Sequence, residues 1–140
     1  MEKEQFNLGF ISPKLGRVDA AAMTEELDDR SVILTISDLP FVAGTYIGKD
    51  AIDALRLLRR KIEPEGWRVL CNGARRNGWA SGMARDMSNG FRMYSLRTGK
   101  RASINDVVDT FGTAPADEVA TCDEQRAWYE SWLANSEFKR

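Results

Sequence analysis

The segment from Lys49 to Ile62, KDAIDALRLLRRKI, constrains the fold most, because it is the clearest amphipathic helix in the chain. Acidic residues in its first turn and basic residues in its last turn both suit the helix dipole. The segments on either side, SVILTIS (31–37) and WRVLCN (67–72), are typical of strands. The chain must therefore pack a helix against strands that precede and follow it. Its apolar stripe consists of Ala51, Ile52, Leu55, Leu57, Leu58 and Ile62.

Strand-like and helix-like patterns are mixed along the rest of the chain. The order predicts an α+β fold in a single globular domain, residues 1–140, with a small, mostly antiparallel sheet and helices packed on one face. A parallel sheet with βαβ crossovers stays open as the alternative. Met83 and Met87, four residues apart, are expected on the core face of a short helix. The other predictions are strands at 6–12 and 91–97, a strand or loop at 41–48, and helices at 18–29, 103–111 and 121–138.

The residue types that are missing restrict the function. The chain has no histidine, which removes the commonest general base, the commonest metal ligand and every Ser-His or Cys-His dyad. Cys71 and Cys122 lack a CxxC partner and are expected to be free thiols. No apolar run approaches the roughly 20 residues of a membrane span, and no signal peptide is visible. We therefore expect a cytoplasmic protein, not an enzyme, without catalytic residues, cofactor, metal or membrane contact.

Charge is unevenly spread although the chain is nearly neutral, at −1. Residues 50–101 carry a net +7, whereas residues 1–49 carry −3 and residues 102–140 carry −5. The segments either neutralise one another in the fold or form separate basic and acidic faces that suit a charged partner. Nucleic acid is an unlikely partner, because the sequence has a pI of about 5.6 and contains no known nucleic-acid-binding motif.

The stretch CNGARRNGWASGMARDM (71–87) is the first candidate contact surface, and a long, ordinary turn with solvated arginines is the alternative. Its first glycines have the spacing of a phosphate-binding loop, but Trp79 and Ala80 stand where Lys and Ser/Thr would hold phosphate and magnesium. Arginine and tryptophan are enriched at the centres of protein interfaces. We therefore select as partner-binding residues Arg75, Arg76, Trp79 and Arg85.

The acidic run EELDD (25–29) is the second candidate contact surface. Such runs are commonly solvated faces, but they also steer association with a basic protein. Its partner-binding candidates are Glu25, Glu26, Asp28 and Asp29.

Three segments together carry a resemblance to a known group of proteins: GWRVLCNGARRNGWASGMARDM (66–87), FRMYSLRTGK (91–100) and EQRAWYESWL (124–133). They resemble small bacterial proteins encoded beside polymorphic or contact-dependent toxin genes and taken to be their immunity proteins. The resemblance spans residues 66–133. It implies a cytosolic protein that binds a cognate toxin domain, many of which are nucleases, and blocks its active site. An acidic patch would then match a basic substrate cleft by mimicking phosphates.

A different class of function also remains open. The chain could be a small anion- or nucleotide-binding domain, or an enzyme, that uses the Gly/Arg loop at residues 73–85. Binding of phosphates that depends on Arg75 and Arg76 would distinguish this alternative from a toxin inhibitor.

Overall fold

A long β-hairpin leads the fold. The computed structural model describes residues 2–39 and 42–135. Strands β1 (Glu2–Ser12) and β2 (Gly16–Glu26) pair antiparallel over all 11 positions. Gly16 starts β2 with φ +71°, a left-handed conformation that glycine adopts without steric cost.

The remaining elements follow in chain order. Several of the strands are only two to four residues long, so loops and single helical turns make up much of the C-terminal half. They are β3 (Val32–Ser37), β4 (Gly44–Gly48), α1 (Ala51–Ile62), β5 (Arg68–Val69), β6 (Gly78–Trp79), α2 (Gly82–Ser88), β7 (Arg92–Ser95), β8 (Val107–Asp109) and α3 (Cys122–Ala134).

Two antiparallel sheets form the frame. The larger sheet has the order β4-β3-β2-β1-β5, and the smaller has the order β6-β7-β8. Every strand pair among the described residues is antiparallel. The α+β prediction with a mostly antiparallel sheet is therefore confirmed, and the parallel alternative is wrong.

Helix α1 covers the core face of the larger sheet, where it packs on β3 and β4. Asp50 caps the helix, because its Oδ1 accepts a hydrogen bond of 2.8 Å from the Asp53 N–H. A Cβ on Gly48 would lie 2.3 Å from the Ala54 nitrogen, so only glycine allows β4 to turn directly into the helix. The predicted apolar stripe is buried except at Leu57, which is 40% exposed; Leu55 and Leu58 are 1% and 0% exposed.

The C-terminal helix begins as its sequence predicts. The Thr121 Oγ1 accepts the Glu124 N–H at 3.1 Å, and the Glu124 Oε1 accepts the Thr121 N–H at 2.8 Å. This reciprocal capping box fixes the start of α3. Helix α3 therefore presents its first turn to α1 at a defined position.

The predicted helix at 18–29 is wrong, because residues 16–26 form strand β2. The alanines and glutamates there suit a helix locally, but pairing with both β1 and β3 overrides that preference. Every second residue from Ala20 to Thr24 is buried, so the core face of β2 carries small side chains.

Two further predictions need correction. The predicted helix at 103–111 is a single turn, Ile104–Asp106, because Val107 and Val108 pair with β7. Met83 and Met87 do form one face of a short helix, but that face is 74% and 82% exposed rather than in the core.

Candidate functional site

Arg59 on α1 is a buried cation that joins three parts of the chain. Only 3% of it is exposed, and its Nε donates to the Glu63 Oε2 at 2.7 Å. The two Nη atoms donate to the Gln125 Oε1 at 2.8 Å and to the carbonyls of Gly73 and Ala120 at 3.1 and 2.8 Å. We call this set, Arg59 with Glu63, Gly73, Ala120 and Gln125, the Arg59 junction. Its charge is fully paired, which is the condition for keeping an ion in a core.

The Arg59 junction also fixes the start of α3. The second oxygen of Glu63, Oε1, accepts the Cys122 N–H at 2.9 Å. The Gln125 Nε2 donates to the carbonyls of Gly73 and Arg75 at 3.0 and 2.8 Å. Helix α3 is thus held against α1 by polar contacts on both sides of its first turn.

A groove of about 560 Å³ lies beside this junction, between α1 and the first turns of α3. We call it the α1–α3 groove. Its volume is in the range of small-molecule pockets, but it is open on one side. Its lining residues are Arg56, Arg60, Glu63, Pro64, Trp79, Thr121, Cys122, Asp123, Gln125 and Arg126.

Three arginines of the groove lack an ionic partner. Within the described ranges, no carboxylate lies within 4.0 Å of the guanidinium of Arg56, Arg60 or Arg126. Of the two acids that line the groove, Glu63 is already bound to the Arg59 junction and Asp123 is exposed. The groove lining therefore carries more positive than negative charge, with three arginines that have no ion pair among the described residues and only two acids.

Of these three arginines, Arg56 has the least favourable surroundings. Its side chain is half-buried, and burial together with the nearby charges of Arg85 and Arg60 lowers the pKa of Arg56 below its usual value. Arginine side chains keep their proton in proteins, so Arg56 remains a cation. A half-buried, unpaired cation beside other cations is unfavourable, and a bound anion would relieve it.

One aromatic side chain, Trp79, lines the groove next to these arginines, and two others stack behind it. The Trp79 ring stacks on the Tyr129 ring with centroids 3.6 Å apart and planes 4° from parallel. Tyr129 also lies 5.7 Å from Trp132, whose indole N–H donates to the Arg97 carbonyl at 2.7 Å. Trp79 is only partly buried by this stack, so it combines a fixed position with an exposed aromatic surface.

The structure separates the other residues predicted from the 71–87 stretch. Arg75 forms an ion pair with Glu118, and its Nε donates to the Asn72 Oδ1 at 2.7 Å. Arg85 forms a two-point ion pair with Asp50, at 2.7 and 2.9 Å. Arg76 is exposed. Of the four predicted residues, Trp79 lines the α1–α3 groove, whereas Arg75 and Arg85 hold the fold together.

Two of the three glycines of this stretch, Gly73 and Gly78, are explained by packing. A Cβ on Gly73 would lie 2.3 Å from the Leu55 Cδ2, and one on Gly78 would lie 2.6 Å from the Met93 Cε. Both positions are buried, so their small size admits core side chains rather than a phosphate. The spacing that resembles a phosphate-binding loop therefore has a structural cause here.

The acidic residues lie in another region, at the β2–β3 turn. Glu26 accepts from the Asn89 amide at 2.6 Å, and Asp29 accepts from the Ser31 N–H and hydroxyl at 3.0 and 2.6 Å. Those hydrogen bonds from Ser31 lower the pKa of Asp29. Glu25 is half-buried and Asp28 is exposed. Two of the four acids thus have local structural roles, and the turn packs on the end of α2.

The sequence did not point to Arg56, Arg60 or Arg126. The basic residues near the end of α1 had an adequate explanation as complements of the helix dipole. One signal was present: Arg56 lies one turn before the last turn and borders the apolar stripe, which predicts a partly buried cation.

The two thiols differ in environment. Cys71 is fully buried, and burial raises its pKa to about 11. Cys122 is half-buried at the groove, and burial also raises its pKa. Neither is poised as a thiolate nucleophile near neutral pH.

Metal and membrane criteria give no site in the described parts of the chain. No three His, Cys, Asp or Glu side chains in residues 2–39 and 42–135 cluster as metal ligands would. Over the same residues, no helix combines the length and apolar character that a bilayer crossing requires. No protein-family model matches the chain, and no curated protein matches it significantly.

Proposed function

We propose that the protein is a cytoplasmic, non-enzymatic binding protein that neutralises a cognate bacterial toxin domain, with the α1–α3 groove as its main contact surface. The observation that carries the proposal is the set of three groove arginines without ionic partners, next to the stacked Trp79. The toxin as partner rests on the resemblance of residues 66–133 to immunity proteins. The groove is the surface at which we expect toxin binding to be strongest.

An acidic segment of the toxin fits this groove best. Each guanidinium can bind a carboxylate at two points, and such pairs are strong where water is partly excluded. Arg56 is already half-buried, so an incoming carboxylate gains a partner whose charge is poorly solvated. Trp79 adds a rigid aromatic surface, the kind of residue that dominates interface energetics.

The acidic β2–β3 turn would act as a second, weaker contact. Glu26 and Asp29 are held in place by Asn89 and Ser31, and Asp29 is exposed. Charge of this kind accelerates encounter with a basic partner more than it strengthens the complex. A nuclease toxin with a basic substrate cleft would suit it.

Copurification with the toxin domain encoded by the adjacent gene, followed by calorimetric titration, tests the proposal. We expect a stable complex that Arg56→Ala/Arg60→Ala weakens by at least about tenfold. Arg17→Ala is the matched control, because Arg17 is an exposed arginine whose one ion pair among the described residues is with the exposed Asp19. Absence of a complex with any adjacent toxin domain would rule the function out.

A small anion is the second candidate ligand, and the groove's volume favours it. A space of about 560 Å³ holds a nucleotide-sized molecule, and Arg56 and Trp79 offer charge and stacking together. Calorimetry with inorganic phosphate and with nucleotides distinguishes the two. Saturable binding that Arg56→Ala abolishes, without toxin binding, would favour the small ligand.

A further inference from the structure

The outer edge of β4 differs from the other sheet edges. At the opposite edge β5 is two residues long, and in the smaller sheet β6 and β8 have two and three residues. Where β1 extends beyond β5, it carries Glu2, Lys3 and Glu4. Short length and charge are the devices by which proteins protect strand edges from pairing with other chains.

Strand β4 has neither form of protection. It runs five residues, GTYIG, without a charge or a proline, and among the described residues only β3 pairs with it. Thr45 is exposed on the face away from the core, and Ile47 is 58% exposed there. An edge of this length, with β-branched side chains and free backbone groups, is a template for one more strand.

The flank of α1 above this edge is partly exposed, although Asp53 on it accepts the Lys49 N–H at 3.0 Å. The Lys61 ammonium lies 5.7 Å from the centre of the Tyr46 ring, which places this flank on the β4 side of the helix. One turn earlier on the same flank is Leu57, an apolar residue that is 40% exposed, and one turn before that is Asp53. Asp53, Leu57 and Lys61 therefore form a second stripe along α1, in which an acid, a leucine and a base follow at four-residue spacing.

This stripe is complementary to itself when reversed. If two copies of α1 lie antiparallel and meet at Leu57, then Asp53 of each copy faces Lys61 of the other. A two-fold axis requires this kind of arrangement, in which the same patch serves both subunits. Antiparallel pairing of β4 with a second β4 about Tyr46 has the same symmetry, and it sets Thr45 of one copy opposite Ile47 of the other.

We propose that the chain forms a symmetric dimer in which β4 pairs antiparallel with β4 of a second copy and the α1 flanks meet at Leu57. The five-stranded sheets of the two copies then join into one ten-stranded sheet. Arg56 and Arg59 lie on a different face of α1 from Leu57, toward α3, whereas the groove residue Arg60 lies beside Leu57 and so near the seam of the dimer. The dimer does not depend on the proposed toxin-binding function.

Sedimentation velocity of the full-length chain from about 1 µM to about 1 mM tests the dimer, because this range covers weak association. We expect a concentration-dependent shift from monomer to dimer. Ile47→Lys should leave a monomer throughout, since it places a charge on the pairing edge. Ile104→Lys is the matched control, because Ile104 is 82% exposed but lies outside β4, and it should dimerise like the wild type.

Charge reversal tests the geometry. Lys61→Glu should raise the dimer dissociation constant at least about tenfold, because the new acid of each copy would then face Asp53 of the other copy. Asp53→Lys/Lys61→Glu should restore dimerisation, because the attraction is re-formed with its sign exchanged. Circular dichroism melting of each variant shows that it is folded. A wild type that stays monomeric to about 1 mM, or a dimer that neither Ile47→Lys nor Lys61→Glu weakens, would overturn the proposal.

Discussion

Arg56 and Arg59 lie three residues apart on the same helix and have opposite surroundings. Arg59 is 3% exposed, and its guanidinium donates to a carboxylate, a side-chain amide and two carbonyls. Arg56 is half-buried and has no ion pair with a described residue. The Arg59 junction therefore stabilises the fold, whereas we propose that the charge of Arg56 serves binding. Burial alone does not distinguish a structural charge from a functional one, but the presence of partners does.

The largest effect is expected at the Arg59 junction. Arg59→Ala leaves the Glu63 Oε2 and the Ala120 carbonyl without their donor and removes one of the two donors to the Gly73 carbonyl, which should lower the free energy of unfolding by about 3–5 kcal/mol. Urea denaturation measures it. Arg60→Ala on the same helix is the control, because this exposed residue should change stability by no more than about 0.5 kcal/mol. Equal effects of the two substitutions would show that Arg59 stabilises the fold no more than the exposed Arg60 does.

Gly73→Ala tests whether the glycines of the 71–87 stretch serve the junction or the groove. The added methyl would lie 2.3 Å from the Leu55 Cδ2 and 3.1 Å from the Thr110 Cγ2, so overpacking should lower stability by about 1–3 kcal/mol. Gly82→Ala is the matched control, since its Cβ meets nothing within 4 Å and alanine favours the helix there. A stable Gly73→Ala variant with impaired ligand binding would instead indicate that Gly73 makes room for a bound ligand.

Asp50 and Arg85 give a smaller effect that depends on pH. Burial raises the pKa of Asp50, but hydrogen bonds from Arg85 and from the Asp53 N–H outweigh it, so the pKa lies below its usual value. The pair therefore contributes its full stability above about pH 4, the unfolded-state pKa, and loses it as pH falls through the folded-state pKa. Asn caps helices as well as Asp does, so Asp50→Asn isolates the charge.

Denaturant midpoints of wild type and Asp50→Asn between about pH 6 and pH 2 measure this contribution. The gap between the two proteins should be widest near pH 6 and should close on acidification. A gap that is constant with pH would show that the carboxylate charge contributes nothing.

The elements that the sequence predicted correctly have locally decisive signals. The stripe and caps of α1, the capping box at Thr121 and the β-branched run of β3 each specify their structure within a few residues. Strand β2 and strand β8 were missed because their pairing partners, which lie elsewhere in the chain, override helical composition and a helix-like start.

The candidate site was harder to predict for the same reason. Trp79 stood out because no periodicity buried it, and it does line the groove. Arg75 and Arg85 looked equally free, yet Glu118 and Asp50, which pair with them, are 43 and 35 positions away along the chain. Conversely, Arg56 looked like an ordinary helix residue. Whether an arginine has a partner is a property of the fold that spacing in the sequence does not encode.

The most direct test of the central claim is a single substitution measured in two ways. Arg56→Gln removes the charge but keeps much of the side chain's length, and both the urea midpoint and the affinity for the adjacent toxin domain are then determined. We expect unchanged or higher stability, because an unpaired charge is removed, together with at least about a tenfold loss of affinity. Lower stability with unchanged affinity would show that Arg56 serves the fold and would contradict the assignment of the α1–α3 groove as the binding surface.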